Sequence, residues 1–365
     1  MGAFGGAGGA GGAGGAGGAG GAGGAGGAGA FIGIGSFLGE GDPGGYAGTT
    51  TLGLQTTADG LRHLAGNDST PAAHNLPFDD PSNLDRWAVW VRGSLYVSDI
   101  LRDFSWEPKP NQEKVVLNFE GNKMVELVRP SANLLVEQCQ LVRDYADLRP
   151  DRGAEITSQL GFPTEYFAMI LGLNQGQHAN TFELIMATQV AAAHAAMIVK
   201  NVLAVRRPDQ IDGRILPMIP TPGHGSFPSA HATESYAAMT VLEAVLKQWA
   251  TLKDDAPRAA MLRGLAERIA VNRTVAGVHF PIDSWAGAAL GTAVGRMILG
   301  RCGLDVPRPS STYAPVNHDF NDHDFSLAAT GSGMTTGADF GVTPSDLFTR
   351  LWGKVMTEAQ TASGA

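Results

Sequence analysis

The sequence predicts an all-α fold, a helical bundle that follows a glycine-rich N-terminal tail. After residue 84, apolar residues recur at helical spacing, and Pro or Gly separates one such segment from the next. No convincing run of alternating strands lies between them. Hydrophobic residues make up 44% of the chain, close to the fraction found in folded proteins. Amphipathic helices of this kind bury their apolar faces against one another.

The chain begins with a segment that cannot form an ordinary core. Residues 5–28 are eight consecutive Gly-Gly-Ala triplets, with no side chain larger than a methyl group. A flexible tail is one interpretation. The strict period of three also fits a polyproline-II-like helix, whose bare edges could pack against other copies. We therefore predict a low-complexity tail over 1–30, an extended arm over 31–83, and a single helical catalytic domain over 84–365.

The helices of the catalytic domain are predicted from apolar periodicity. The predicted segments, in order, are 86–104, 123–147, 151–160, 164–173, 179–204, 229–248, 256–274, 282–300 and 344–357. The stretch 307–343 is rich in Ser, Asn, Asp and Gly and is predicted to be a long loop.

Charge and composition limit the classes of function. The net charge of −9 disfavours non-specific binding to nucleic acid, and the two cysteines are too few for a disulfide framework. The start lacks the features of a secretory signal. The most apolar windows, 185–199 and 286–299, are shorter than the ~20 residues that a membrane span needs. No membrane span is predicted, and a cytoplasmic location follows by default.

Two stretches of sequence suggest an anion site. Lys200 and Arg207 lie at the end of a long apolar helix, where the helix dipole alone would favour them. In the second stretch Ser229 stands at an N-cap position and is followed by Ala230 and His231. Free N–H groups at a helix start, joined by a hydroxyl, can bind a multiply charged anion. The alternative is a capped helix with an exposed histidine.

A third stretch contains Arg273, His279 and Asp283. Pro281 suits the first turn of a new helix, which places Asp283 close enough to His279 to orient its imidazole. A carboxylate on one ring nitrogen raises the basicity of the other, which could then bind a metal centre or attack phosphorus. The alternative is a buried Asp–His pair that holds two helices together.

Together the stretches resemble the three-part signature of the vanadium-dependent haloperoxidase and type 2 phosphatidic acid phosphatase superfamily, with a motif core over 180–300. The matching residues are Lys200, Arg207 and Pro208, then Pro228, Ser229 and His231, then Arg273, His279 and Asp283. Two positions differ from the pattern: Ala230 replaces Gly, and Asn272 replaces Ser.

The resemblance implies an oxyanion pocket with vanadate as cofactor, a site that phosphate can also occupy. Such a pocket needs fixed positive charge because a buried dianion is otherwise too costly. The implied oxyanion-binding residues are Lys200, Arg207, Ser229, Ala230, Arg273 and His279. The family assigns His279 as the vanadium ligand, or as the phosphate-accepting nucleophile in phosphatases. It assigns Asp283 as the orienting partner of His279, His231 as general acid/base, and Lys200 as the group that polarises bound peroxide.

The position of His224 favours one of the two activities of the superfamily. It lies seven residues before His231, as in the algal vanadium bromoperoxidases, so we expect a haloperoxidase that oxidises bromide or iodide with hydrogen peroxide. Hydrogen peroxide, halide and an organic acceptor of unknown identity are the expected partners, with homo-oligomerisation through the tail. One alternative is a soluble acid phosphatase with a phosphohistidine intermediate. Another is an inactive assembly or scaffold protein driven by the Gly-rich tail.

Overall fold

The computed structural model describes residues 48–64, 75–87, 89–249, 254–320, 325–327 and 329–362. The Gly-Gly-Ala tail lies outside these residues, so oligomerisation through it stays a prediction, as do the domain boundaries. Part of the predicted arm is described. In that part Gly48–Leu61 forms a helix, so the arm is not extended throughout.

Most described residues are helical. The α-helices, in chain order, are α1 (Gly48–Leu61), α2 (Val89–Asp103), α3 (Ala132–Asp144), α4 (Arg149–Ser158), α5 (Thr164–Leu171), α6 (Ala179–Leu203), α7 (Ala230–Trp249), α8 (Asp255–Val275), α9 (Pro281–Arg301) and α10 (Asp346–Ala362). Short 3₁₀ helices cover Pro81–Arg86, Pro110–Gln112, Tyr145–Leu148 and Pro208–Gln210. Apolar periodicity therefore located α2 and α4 to α10 to within a few residues.

The prediction of an all-α fold is wrong in part, because a five-stranded sheet flanks the helices. Its strands are β1 (Phe104–Lys109), β2 (Lys114–Phe119), β3 (Asn122–Val128), β4 (Pro309–Tyr313) and β5 (Met334–Asp339). They are ordered β1 to β5 across the sheet. The β3–β4 pair is parallel and the other pairs are antiparallel. β3 lies inside a segment predicted as helix, and β4 and β5 lie inside the predicted loop.

The β2–β3 hairpin shows why periodicity missed the sheet. Each strand is a short apolar run, and runs of this length fit a buried strand or a helix equally well. The signal that could have separated the two is the turn. Glu120 and Gly121 both have positive φ, 47° and 74°, as the two-residue turn of a tight hairpin requires.

Helix α7 lies at the centre of the bundle and packs against α6, α8 and α9. Its approach to α9 is very close, because α9 presents glycines four residues apart on one face. A Cβ at Gly291 would lie 2.3 Å from the Thr233 carbonyl oxygen, and one at Gly287 would lie 2.6 Å from that of Ser229. This contact brings the first turns of α7 and α9 side by side.

Helix α6 is longer than its apolar window suggested. It has 25 residues, and among the described residues it is the one helix long and apolar enough to cross a membrane. Of its most apolar window, 72% is buried inside the protein. Buried core helices of soluble proteins share this length and composition, so the cytoplasmic location stays a prediction.

Candidate functional site

The site is built on the adjoining starts of α7 and α9. The Ser229 hydroxyl accepts a hydrogen bond from the Ala232 amide at 3.3 Å, which makes Ser229 the N-cap of α7. The Ser229 amide donates to the Asp283 carbonyl at 2.9 Å. These bonds fix the two helix starts against each other, and Ala230 is buried as the first residue of α7.

His279 and Asp283 form a buried pair at the start of α9. His279 Nδ1 lies 2.8 Å from Asp283 Oδ2, and the same oxygen accepts from the Phe280 amide at 3.0 Å and from the Ser226 hydroxyl. Burial raises the pKa of Asp283 to about 6, against the lowering effect of the Ser226 bond. The carboxylate is therefore ionised at neutral pH and holds the proton of the imidazole on Nδ1.

The other nitrogen of His279 faces Arg207. Its Nε2 lies 2.9 Å from Arg207 Nη1. Burial, and then the positive charge of Arg207, lower the pKa of His279 well below its usual range. The ring is therefore neutral, with a lone pair on Nε2 that accepts from a guanidinium.

Arg207 is held by neutral groups. Besides His279, it donates to the Val278 carbonyl at 2.7 Å and to the His224 carbonyl at 3.1 Å. His224 Nδ1 lies 3.1 Å from Arg207 Nη2. Burial lowers the pKa of Arg207 to about 10, so it stays charged at neutral pH. His224 thus contacts the cationic cluster through Arg207, and its predicted role in catalysis stays a prediction.

Lys200 enters the same cluster from the last turn of α6. Its Nζ donates to the carbonyls of Gly225 and Ser226, each at 2.8 Å, and only 3% of the residue is exposed. Burial and the neighbouring Arg207 charge lower the pKa of Lys200 well below its usual range. Its contacts with two carbonyls orient the amine beside the segment that carries Ser226 and Ser229.

Arg273 and His231 both form hydrogen bonds with Gln159, the residue that follows α4. His231 Nε2 lies 2.8 Å from the Gln159 carbonyl oxygen, and Arg273 Nη2 donates to Gln159 Oε1 at 3.2 Å and to the Ile156 carbonyl at 3.3 Å. Burial, and then the Arg273 charge, lower the pKa of His231 to about 3. Burial lowers that of Arg273 to about 10. His231 is thus neutral and Arg273 charged at neutral pH.

Two donors of Arg273 have no hydrogen-bond partner among the described residues: Nε and Nη1 are fully buried and unpaired. Leaving buried guanidinium donors unpaired is costly. Three basic side chains, two neutral imidazoles and two helix starts are therefore held in one hydrogen-bonded region, an arrangement suited to an oxyanion that brings its own negative charge and acceptors.

Every predicted site residue lies in this network, but sequence reasoning missed three supporting groups. Ser226 bonds Asp283, and Gln159 joins His231 to Arg273. Gln159 also binds Asn272, a residue already named from the sequence as the replacement for the Ser of the signature: Asn272 donates to Gln159 Oε1 at 2.9 Å. No local pattern marks Gln159, since its role depends on the packing of α4. The third missed group is Glu234, a fully buried carboxyl on α7.

An open hollow of about 580 Å³ borders the cluster. Lys200 and His224 connect it to the buried cations. The remaining lining residues are Met197, Asn201, Ala204, Val205, Arg206, Gln210, Pro222, Gly223 and Gly225. The hollow therefore offers both polar and apolar surface next to the site. Over the part of the chain that the structure describes, no group of three or more His, Cys, Asp or Glu side chains could hold a metal ion.

Comparison with known proteins finds a family match for the part of the chain that carries the site. Residues 181–301 match the PAP2 superfamily, so the chain contains a PAP2 superfamily domain that spans α6 to α9. It is 34% identical over 116 residues to a decaprenylphosphoryl-5-phosphoribose phosphatase of Mycobacterium tuberculosis (strain CDC 1551 / Oshkosh), covering 32% of this chain and 58% of that protein. It is 38% identical over 96 residues to the protein of the same name from Mycolicibacterium smegmatis (strain ATCC 700084 / mc(2)155), covering 26% of this chain and 46% of that one.

These relatives overturn the predicted activity. The chain spans about half the length of the curated relatives it matches, and both are named as phosphatases. The prediction of a haloperoxidase that oxidises bromide or iodide is wrong, and the expected peroxide and halide partners lose their basis with it. Cations and imidazoles arranged for one tetrahedral oxyanion suit another equally well, so His224 alone could not decide the activity. The relatives also weigh against an inactive scaffold protein.

Proposed function

We propose that this protein is a phosphatase that hydrolyses phosphate monoesters through a phosphohistidine on His279. The observation that carries the proposal is the buried cluster of Lys200, Arg207 and Arg273, whose hydrogen-bond acceptors are neutral groups. A phosphate dianion would supply the missing negative charge at a point next to a neutral, oriented imidazole.

The donors that lack a hydrogen-bond partner indicate where phosphate would bind. Nε and Nη1 of Arg273 are unpaired, and the first amides of α7 point their N–H groups away from the helix, where an anion is favoured. Arg207 Nη1 now donates to His279 Nε2. When phosphate enters, this donor is expected to turn to a phosphate oxygen and free the Nε2 lone pair for attack.

In the first chemical step His279 Nε2 forms a bond to phosphorus, and the bond from phosphorus to the ester oxygen breaks. Asp283 holds Nδ1–H and stabilises the positive charge that develops on the ring. The three cations stabilise the charge on the phosphoryl oxygens.

We assign the proton transfers to His231. Its Nε2 is held by the Gln159 carbonyl, so Nδ1 is the nitrogen left for exchange. A bound dianion raises the pKa of His231 because it offsets the neighbouring cations. The imidazolium then gives its proton to the leaving alkoxide. In the second step the now neutral His231 takes a proton from the water whose oxygen attacks phosphorus, and the Nε2–P bond breaks.

The open hollow suggests the class of substrate. Arg206, Asn201 and Gln210 offer hydrogen-bond donors beside the apolar Met197 and Val205. Such a surface suits a polar alcohol such as a sugar as the leaving group. The relatives are named as phosphatases of decaprenylphosphoryl-5-phosphoribose, which supports a phosphate monoester on a sugar.

Vanadate, predicted as a cofactor from the sequence, is proposed here as a phosphate analogue. It is a tetrahedral oxyanion, so the donors that would seat phosphate also fit it. We expect orthovanadate to inhibit hydrolysis competitively.

The test is to trap the covalent intermediate. Wild type, His279→Asn and His194→Gln are incubated with a ³²P-labelled phosphate monoester, quenched in base to preserve the N–P bond, and analysed for bound label. Wild type and His194→Gln, whose ring hydrogen-bonds to the Val190 carbonyl of its own helix at 2.8 Å, should be labelled. His279→Asn should carry no label and lose hydrolysis of p-nitrophenyl phosphate and ribose 5-phosphate by roughly a thousandfold or more. Hydrolysis that persists in His279→Asn, or label on another residue, would overturn the assignment.

A further inference from the structure

Glu234 is a buried carboxyl that the proposed mechanism does not use. It lies on α7, three residues and about one helical turn beyond His231, and it is 0% exposed. Neither of its carboxylate oxygens has a hydrogen-bond partner among the described residues. An ionised carboxylate in such a place is costly unless nearby charge compensates it.

The charged groups that act on Glu234 come from two other helices. They are Lys200 at the end of α6 and Arg273 near the end of α8, both of which belong to the anion site. Burial raises the pKa of Glu234 to about 8, and the two cations oppose that rise. Since the Glu234 carboxyl has no hydrogen bond of its own, the cations are its compensation. A bound phosphate would form ion pairs with the same two cations.

We propose that Glu234 is the counter-charge of the anion site in alkaline solution, where it takes up one proton from solvent when a tetrahedral dianion enters and releases it when the anion leaves. The inference rests on the proposed function, because it requires an oxyanion between Lys200 and Arg273. Above about pH 8, where Glu234 is ionised in the free protein, it offsets part of their positive charge. In the complex the dianion takes over that role, and a second negative charge beside it would be repelled.

The proposal sets the direction of a pH effect. An anion raises the proton affinity of a neighbouring carboxyl, so the complex holds a proton that the free protein loses near pH 8. Affinity for a dianion must then fall as the pH rises above 8. The expected loss is about fivefold between pH 8 and pH 9.

Sulfate is the probe that isolates this proton, because it is a tetrahedral dianion that does not titrate over the range used. Binding is measured by titration calorimetry at pH 6.5, 8 and 9 in buffers of different ionisation enthalpy, which gives the protons taken up per sulfate bound. For wild type we expect uptake to rise by about 0.9 proton between pH 6.5 and pH 9.

Glu234→Gln keeps the shape of the side chain and is permanently neutral. It should bind sulfate at pH 9 at least as tightly as wild type, and the rise in uptake with pH should disappear. Proton uptake by Lys200, His231 or His279 on sulfate binding would persist in this variant. Glu243→Gln is the matched control, since Glu243 is a second carboxyl on α7 but pairs with Arg263. It should behave as wild type.

The outcomes separate the two proposals. If sulfate and inorganic phosphate both fail to bind wild type, the anion site and the proposed function are wrong together. If they bind and the rise in uptake is the same in Glu234→Gln, the role of Glu234 is wrong and the phosphatase proposal stands. Should the variant fail to fold, wild type alone decides, because uptake that does not rise between pH 6.5 and pH 9 overturns the proposal.

Discussion

Two buried arginines on consecutive helices, Arg273 and Arg301, show the difference between a charge held for structure and a charge held for a ligand. Both are at most 2% exposed. Arg301, at the end of α9, forms ion pairs with Glu120 at 3.0 Å, with Asp99 at 3.6 Å and with Asp103. It also lies over the Phe119 ring, 4.8 Å from its centroid. Among the residues that the structure describes, Arg273 donates only to neutral acceptors, and two of its donors have no partner.

The difference lies in where the compensating charge comes from. Around Arg301 the protein supplies the carboxylates itself, from α2 and the β2–β3 turn, so the guanidinium joins the end of α9 to the sheet side of the molecule. Around Arg273 the protein supplies dipoles and leaves the negative charge to be brought in. A buried cation of the first kind stabilises the fold. One of the second kind lowers stability slightly and creates affinity for an anion.

The largest expected effect is on stability, from Arg301→Met. Removing the cation leaves three largely buried carboxylates facing one another, so we expect the free energy of unfolding to fall by roughly 3–5 kcal/mol. Urea unfolding followed by circular dichroism measures it. Arg102→Met is the matched control, because Arg102 also contacts Asp99 and Asp103 but its side chain is 66% exposed. It should cost less than about 1 kcal/mol. Equal losses in the two variants would contradict the structural role of Arg301.

Arg273→Met should give the opposite pattern. Its partners are neutral, so the free energy of unfolding should change by less than about 1 kcal/mol, while kcat/KM for phosphate ester hydrolysis should fall by roughly 10²–10³-fold because a donor to the transition state is lost. Arg268→Met, on the same helix, is the control. Its side chain is half exposed and pairs with Glu155, so activity should be retained. An Arg273→Met protein that unfolds as readily as Arg301→Met would erase the distinction between the two arginines.

The same contrast explains what could be predicted from sequence. The residues of the anion site belong to three short motifs with fixed spacing, so Arg273, His279 and Asp283 could be named from the amino-acid sequence. The helices that carry them have long apolar periods and were located closely. Partners of Arg301 come from α2 and the β2–β3 turn, which are far from α9 in sequence, and nothing local marks them.

Two misses have definite physical causes. β4 and β5, with the sequences PSSTY and MTTGAD, are polar and short, and each is a strand because the strand before it in the sheet, β3 for β4 and β4 for β5, offers an edge to pair with. Gln159 and Glu234 act through burial and long-range proximity to cations, which periodicity does not report. The activity itself was misjudged because the donors for vanadate and phosphate are the same.

The smallest expected effect is a change in the free energy of unfolding as the pH falls. It should occur at the anion site, at the start of α9, and not at Arg301, at the end of α9. His231 is buried and neutral, with a pKa of about 3 in the folded protein against about 6.5 when unfolded. A folded pKa below the unfolded one means that the unfolded state binds more protons between these values. The stability from keeping this imidazole neutral is therefore complete above pH 6.5 and is lost as the pH falls.

The loss is about 1.4 kcal/mol at pH 5.5, one unit below the unfolded pKa. Total stability would not show it cleanly, because His279 acts in the same direction while the raised pKa values of Asp283 and Glu234 act in the opposite one. The wild-type minus His231→Gln difference removes these shared contributions. This difference in the free energy of unfolding should fall by about 1.4 kcal/mol between pH 7.5 and pH 5.5, because only wild type loses stability through His231.

At the Arg301 end the matching variant is Asp103→Asn. Burial would raise the pKa of Asp103, but its bonds with Arg102 and Arg301 lower it below the usual value, so Asp103 does not titrate between pH 7.5 and pH 5.5. Its wild-type minus variant difference should stay constant over that interval. A constant difference for His231→Gln as well would show that His231 has the same pKa in the folded and unfolded proteins, so that the ring is not buried among cations. The charge balance proposed for the anion site would then fail while the ion pairs of Arg301 remained intact.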